Sequence, residues 1–198
     1  MNTLILATRN QGKLKEIQQM LGDRVQVQTL DAFPNAPDVI EDGDTFEANA
    51  VKKAREIARH TGLPALADDS GLVVDALNGA PGVYSARFAG EDATDADNNA
   101  KLTDQLKEVP QNQRTARFCC AMALAAPNGK IQTAQATWEG RILSKPQGDN
   151  GFGYDPLFFV PTHNCTSAEL PSEEKNHLSH RGQALRAILP RILDLFQE

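Results

Sequence analysis

Apolar and polar positions along this chain follow two periods, and the changes of period mark its elements. Residues 3–7, apolar from Leu4 on, read as a short buried strand. The polar hexapeptide Thr8-Arg9-Asn10-Gln11-Gly12-Lys13 follows, and then Leu14, Ile17 and Leu21 recur at helical spacing. Residues 25–29 alternate like a strand, and Pro34 and Pro37 mark a loop leading to Glu41-Asp42-Gly43. Asp44 with Glu47 three positions on predicts an acidic capping box. The helix it opens buries Phe46, Ala50, Ala54, Ile57 and Ala58 and stops at Gly62, with Asn49 and Lys53 four apart on another face.

Residues 65–67 and 72–76 read as two strands, with a hairpin or sharp bend at Asp68-Asp69-Ser70-Gly71 between them. A loop at Asn78-Gly79-Ala80-Pro81-Gly82 follows, and Thr94 with Asp97 opens a polar helix that ends before Pro110. Residues 115–125 and 131–138 predict strands joined at Pro127-Asn128-Gly129, a hairpin signal. A glycine-rich loop at 148–155 returns to strand at 157–160. A last helix from about His180 carries Leu185, Ile188, Leu189, Ile192 and Phe196 as its stripe, and Pro190 predicts a kink within it. Alternating helices and strands followed by a long hairpin predict an α/β fold with a mixed central β-sheet flanked by helices. No linker interrupts residues 1–198, so one domain with two lobes and a cleft between them is expected.

Composition narrows the function classes. The formal net charge is -6, from 26 acidic and 20 basic side chains, so a global basic field for nucleic acid is absent. An acidic chain that binds a polyanion needs a divalent cation or a local cluster of basic groups and backbone N–H donors. Cys119, Cys120 and Cys165 are odd in number with no C-x-x-C spacing, which predicts reduced thiols and a cytoplasmic protein. No apolar run approaches the roughly 18 residues of a membrane span, and the first residues lack a signal-peptide pattern. His60, His163, His177 and His180 do not form a zinc set, and no G-x-S-x-G occurs.

Four segments carry candidate chemistry. The turn from Thr8 to Lys13 sits between strand and helix, where unpaired backbone N–H groups and the helix dipole suit phosphate; it is not a Walker A loop. Asp68-Asp69 at the end of an apolar strand is costly without a compensating cation or hydrogen bonds. Carboxylate oxygens are what Mg²⁺ prefers, and Glu41 is a plausible further ligand. Gly151-Phe152-Gly153-Tyr154-Asp155-Pro156 offers an aromatic platform for a flat ring, with Asp155 as an acceptor for a ring N–H. Lys175, His180 and Arg181 supply donors. Each segment alone also fits an ordinary role: a polar turn, a capped bend, a core-packed loop, a solvated helix face.

Together and in order, T-x-N-x-G-K, L-A-D-D-S-G-L, G-A-P-G-V-Y-S-A-R, G-F-G-Y-D-P and S-H-R-G-Q-A-L closely resemble the inosine triphosphate pyrophosphatase family, also called dITP/XTP or Ham1-like pyrophosphatases, in its bacterial form. The resemblance runs from Leu4 to about Ile188. It implies Mg²⁺-dependent hydrolysis of ITP, dITP and XTP to monophosphate and pyrophosphate, a homodimer, and a site in the cleft between lobes. It implies that Thr8, Arg9, Asn10, Gln11, Gly12 and Lys13 bind the triphosphate with Lys53, and that Asp69 is proton acceptor and metal ligand with Glu41. Ser70 then lies on the substrate, and Phe152, Gly153, Tyr154, Asp155, Lys175, His180 and Arg181 read the base. Asp68 and Arg87 join only through proximity and charge. The chain departs from the family pattern at Arg9, where bacterial relatives commonly carry glycine. Donors from His180 and Arg181 match the C6 oxygen of hypoxanthine or xanthine and mismatch the amino group of adenine. Two other functions stay open at this point: a pyrophosphatase for pyrimidine or modified-base triphosphates, and a nucleotide- or RNA-binding module using the aromatic platform. The adjacent acids weigh against the latter, because they repel a phosphate backbone unless a metal intervenes.

Overall fold

A computed structural model describes residues 3–196. Its strands are β1 (Thr3–Leu6), β2 (Gln26–Thr29), β3 (Ala65–Val74), β4 (Thr115–Ala125), β5 (Ile131–Ile142), β6 (Phe158–Val160) and β7 (Cys165–Thr166). Its helices are α1 (Gln11–Leu21), α2 (Phe46–Thr61), α3 (Asp95–Leu106), α4 (Ser172–Leu178) and α5 (His180–Leu195). The strands form one sheet in the order β2-β1-β3-β4-β5-β6-β7. β1 pairs in parallel with β2 and β3, while β6 pairs antiparallel with β5 and β7, so the sheet is mixed as the alternation of elements predicts. Among the described residues no helix is long and apolar enough to cross a membrane.

The chain divides into two compact units: residues up to Asp69 with Cys120–Ala136 and everything from His180, and Ser70–Cys119 with Thr137–Ser179. In the first unit, strand alternation builds two apolar layers. Leu4, Leu6, Leu66 and Met122 pack with Leu14 and Ile17 of α1 and with Leu185, Ile188 and Ile192 of α5. Ile5, Ala65, Ala67, Ala121 and Ala123 pack with Ala50, Ala54 and Ile57 of α2. In the second unit Leu72, Leu102, Leu106, Trp138, Tyr154 and Phe158 share one core. There the Phe118 and Phe158 rings lie 4.4 Å apart. Gly140 of β5 leaves room for that aromatic stack: a Cβ would come within 2.5 Å of the Phe158 ring.

Several local expectations hold. Thr94 and Asp97 form a reciprocal capping box at α3, Gly62 ends α2 in the left-handed conformation, and β4 and β5 flank the turn in which Ala126 N–H bonds Lys130 C=O. Pro190 lies inside α5 and the helix continues past it to Leu195. Three expectations are corrected. No bend divides Asp68-Asp69-Ser70-Gly71; β3 runs unbroken from Ala65 to Val74, because buried partners on each face replace the local capping that a turn would provide. Asp44 does not cap α2. Thr45 does, accepting from Ala48 N–H at 3.1 Å, and Glu47 instead accepts from the Thr133 hydroxyl at 2.6 Å. β5 also extends four residues beyond the predicted 138, to Ile142.

The packing predicts a contrast between two isoleucines. Ile188 is fully buried and Ile40 is 73% exposed. Ile188→Ala should therefore cost about 2–5 kcal/mol in urea-induced unfolding, and Ile40→Ala no more than about 0.5 kcal/mol.

Candidate active site

The polar hexapeptide closes on itself at the start of α1. The Thr8 hydroxyl accepts from Asn10 N–H at 3.2 Å, and Asn10, the N-cap, accepts from Lys13 N–H at 3.0 Å through its side chain. Arg9, Asn10 and Gln11 are exposed, while Thr8, Gly12 and Lys13 are partly covered. The helix start thus faces outward with a set of backbone donors. Among the described residues the non-glycines with positive φ are Asn78 and Asn164, so Arg9 sits in an ordinary conformation that needs no glycine. Lys13 does not hang in solvent; its ammonium lies 2.5 Å from Asp68 Oδ1.

Asp68 and Asp69 are neighbours on a strand, so their side chains leave on opposite faces. Asp68 follows Leu66 onto the α1/α5 side, where it is fully covered. It meets Lys13, Arg181 Nε at 3.1 Å and the Cys120 thiol at 3.0 Å. Arg181 also donates through Nη1 to Glu16 at 2.6 Å. Lys13, Arg181, Asp68 and Glu16 thus form a buried group of two cations and two anions. Burial alone pushes the Asp68 carboxyl up, but Arg181 and Lys13 outweigh it and hold that carboxyl well below the usual carboxylate range. Arg181 is likewise held charged: burial works against it, and Asp68 and Glu16 prevail.

Asp69 follows Ala67 onto the α2 side. Its Oδ2 accepts from Asn49 Nδ2 at 3.0 Å, and the same Asn49 accepts from Gly43 N–H at 2.7 Å. A Cβ at Gly43 would press on that Asn49 oxygen, so the glycine lets the acidic loop close against α2. The loop then brings Glu41 to Lys53, whose ammonium is 2.8 Å from Glu41 Oε1, 2.8 Å from the Asp68 carbonyl and 4.0 Å from Asp69 Oδ1. Glu41 and Asp69 also share a hydrogen bond. Burial first, and the Glu41 charge with it, outweigh Lys13 and Lys53 and raise Asp69 to about 6. Two neighbouring carboxylates offer the hard oxygen donors that such a cation takes, and Glu41 with Asp69 are the residues that would hold Mg²⁺. Asp68 faces away and does not join them. The expectation that Asp68 and Asp69 act together is therefore replaced by a division between faces.

The base-reading candidates of the second unit form a separate arrangement. Asp155 is buried and accepts from Phe152 N–H at 2.8 Å, the Ser167 hydroxyl at 2.9 Å and Lys175 Nζ at 2.5 Å. Lys175 also stands 5.0 Å from the Phe152 ring centroid. Asp155 thus organises the loop from within. Tyr154 is buried and donates to Ser85 C=O at 2.8 Å, and Gly153 takes a left-handed φ of 61°. Ser70 is half-buried on β3. Arg87 stands beside Glu91 and over the Tyr84 ring. His180 and Arg181 open α5 in the first unit, both buried.

Glu16 and Asn49 are site residues that motif reasoning does not single out. Asn49 left a trace in its four-residue spacing from Lys53 on one helix face. Glu16 left less, a charged residue beside Ile17 on the buried side of α1.

The model of the Ham1 family matches residues 4–191. A protein of Geobacter sulfurreducens named dITP/XTP pyrophosphatase is 58% identical over 186 residues, 93% of this chain and 94% of its own. A Vibrio cholerae protein of the same name is 50% identical, with 97% of each chain covered. Among solved structures, a HAM1 protein from Coxiella burnetii superposes with a TM-score of 0.88 at 46% identity, covering 98% of this chain and all of that one. The Staphylococcus aureus Ham1 protein gives 0.85 at 37% identity, covering 96% and 97%. Matched over nearly its whole length, this chain belongs to the Ham1 family.

Proposed function

We propose that the protein hydrolyses non-canonical purine nucleoside triphosphates (ITP, dITP and XTP) to the monophosphate and pyrophosphate with Mg²⁺, as a cytoplasmic homodimer that clears such nucleotides from the pool. The observation that carries the proposal is the gathering of Asp69, Glu41, Lys53 and Asn49: Lys53 Nζ lies 2.8 Å from Glu41 Oε1 and 4.0 Å from Asp69 Oδ1, and Asn49 donates to Asp69 at 3.0 Å, while burial raises the Asp69 carboxyl to about 6. A base with a pKa just below neutral pH is mostly ionised at pH 7 and still accepts a proton readily. The names of the Geobacter and Vibrio relatives supply the substrate class.

Residues 8–13 and Lys53 bind and orient the triphosphate, and Ser70 adds a contact on the substrate. Phosphoryl transfer asks mainly for positioning and charge neutralisation. A bound Mg²⁺ would add neutralisation of the phosphate oxygens and polarise the phosphorus. Asp69 Oδ1 or Oδ2 takes a proton from the water that attacks the α-phosphorus in line. The α–β anhydride bond breaks, the new P–O bond leaves the monophosphate, and the bridging oxygen departs with pyrophosphate. Asn49 keeps the Asp69 carboxyl oriented throughout. Phe152 stacks on the purine, with Gly153, Tyr154 and Asp155 shaping that loop and Lys175 beside the ring. His180 and Arg181 read the C6 oxygen; Arg181 is pre-oriented for this by Asp68 and Glu16.

Chromatography of products tests the activity itself. ITP with Mg²⁺ should yield IMP and pyrophosphate, EDTA should abolish turnover, and ATP should be a poor substrate. IDP with inorganic phosphate would mean a different enzyme.

Asp69→Asn separates chemistry from stability. The folded pKa of about 6 lies above the unfolded 3.8, so the folded state holds this proton more tightly. The resulting stabilisation is complete below about pH 4 and is lost as pH rises through about 6. Without divalent cations the Asn variant should thus unfold at pH 8 no more easily than wild type, and up to about 3 kcal/mol less easily. Its kcat should nevertheless fall roughly a hundredfold or more. Thermal melts and steady-state kinetics on the same samples check both halves.

A further inference from the structure

The platform loop is held from two sides. Asp155 closes it from within through Phe152 N–H, but the next peptide is gripped from outside by α3. Gly153 N–H donates to Asp95 Oδ2 at 2.7 Å, and Gly153 C=O accepts from Asn99 Nδ2 at 2.8 Å. Asp95 and Asn99 are four apart, so they project from one face of α3 and meet both polar groups of a single residue.

We infer that Asp95 and Asn99 are positioning residues for base recognition, a clamp that fixes the Phe152 ring by holding both peptide groups of Gly153 to α3. The inference rests on the proposed role of Phe152 in stacking on the purine. Gly153 lies directly after Phe152 and before Tyr154, in a left-handed conformation. A loop bridging two glycines of positive φ has several accessible shapes. Bonds to a rigid helix select one.

The helix is fixed without help from the two clamp residues. Thr94 and Asp97 cap its start reciprocally, at 2.9 and 3.2 Å. Leu102 and Leu106 are fully buried in the core that also holds Tyr154. Asn98 accepts from Ala89 N–H at 2.8 Å and donates to Ala86 C=O at 3.0 Å, tying the helix to the preceding segment. Asp95 is exposed and its side chain is free of the cap. Its carboxylate and the Asn99 amide group are therefore available for the loop, and removing them leaves the anchoring of α3 intact. As the first residue of α3, Asp95 also sits where the helix dipole favours an anion.

The test combines kinetics with hydrogen exchange on the full-length protein, using Asp95→Ala, Asp95→Asn and Asn99→Asp. Losing a hydrogen bond to a charged acceptor is worth about tenfold or somewhat less at an exposed site. In Asp95→Ala the Gly153 amide should exchange about tenfold faster, and KM for ITP should rise several-fold with kcat within about twofold. Asp95→Asn keeps an acceptor and should restore most of both. Asn99→Asp places a carboxylate against the Gly153 carbonyl and should raise KM like Asp95→Ala. Unchanged exchange at Gly153, or kcat falling while KM stays constant, would overturn the inference. If the wild-type protein fails to release IMP from ITP, the proposed function fails on its own, and the exchange of Gly153 still decides whether the clamp exists.

Discussion

A β-strand sends successive side chains to opposite faces, and at Asp68-Asp69 that rule is applied to two carboxylates in the middle of a buried strand. Neither can be relieved by the other, because they face different layers. Each needs its own counter-charges, and the rest of the first unit is arranged to bring them. On one face α1 delivers Lys13 and Glu16 and α5 delivers Arg181. On the other α2 delivers Asn49 and Lys53, and the acidic loop delivers Glu41. The opposite outcomes follow from the balance of charges. Burial raises both carboxyls; at Asp68 the contacting Arg181 and Lys13 outweigh it and keep the group ionised, while at Asp69 burial and the Glu41 charge prevail over Lys13 and Lys53 and raise it to about 6.

This division assigns the two acids different work. A buried group of two cations and two anions is neutral overall, but it is not cheap; its members lose hydration that only good geometry restores. What it contributes is position. Lys13 ends the Thr8–Lys13 turn and Arg181 opens α5, so Asp68 ties both to one strand. Asp69 is kept from that network and retains an affinity for protons that Asp68 lacks. The same logic recurs in the second unit, where Asp155 is buried with Lys175 and organises the platform loop from inside.

Local signals were legible where local chemistry decides the outcome. The Thr94–Asp97 box, the Gly62 stop, the Asn128-Gly129 turn and the α5 start at His180 all depend on residues within a few positions of one another. The class of fold followed from the order of elements. The strand through Asp68-Asp69-Ser70-Gly71 was not legible, since its composition is that of a turn and only distant partners keep it extended. Lys13, Arg181 and Asn49 lie 55, 113 and 20 positions from the acids they stabilise. Asp44 looked like a cap and Thr45 next to it serves as one, a difference of a single position set by where the loop enters α2. Motifs named Lys13, Lys53, Glu41 and Asp69 as candidates; they could not say that Asp68 faces away from them.

The central claim is that two adjacent aspartates of one strand behave as unlike groups. Carboxyl-carbon NMR titration of the wild-type protein, with and without Mg²⁺, tests this most directly. The Asp69 resonance should titrate near 6 without the cation and shift when Mg²⁺ is added. Asp68 should stay ionised through that range and be unmoved by Mg²⁺. If both resonances titrate together, or if Mg²⁺ moves both alike, the two carboxylates share one site and the division between faces is wrong.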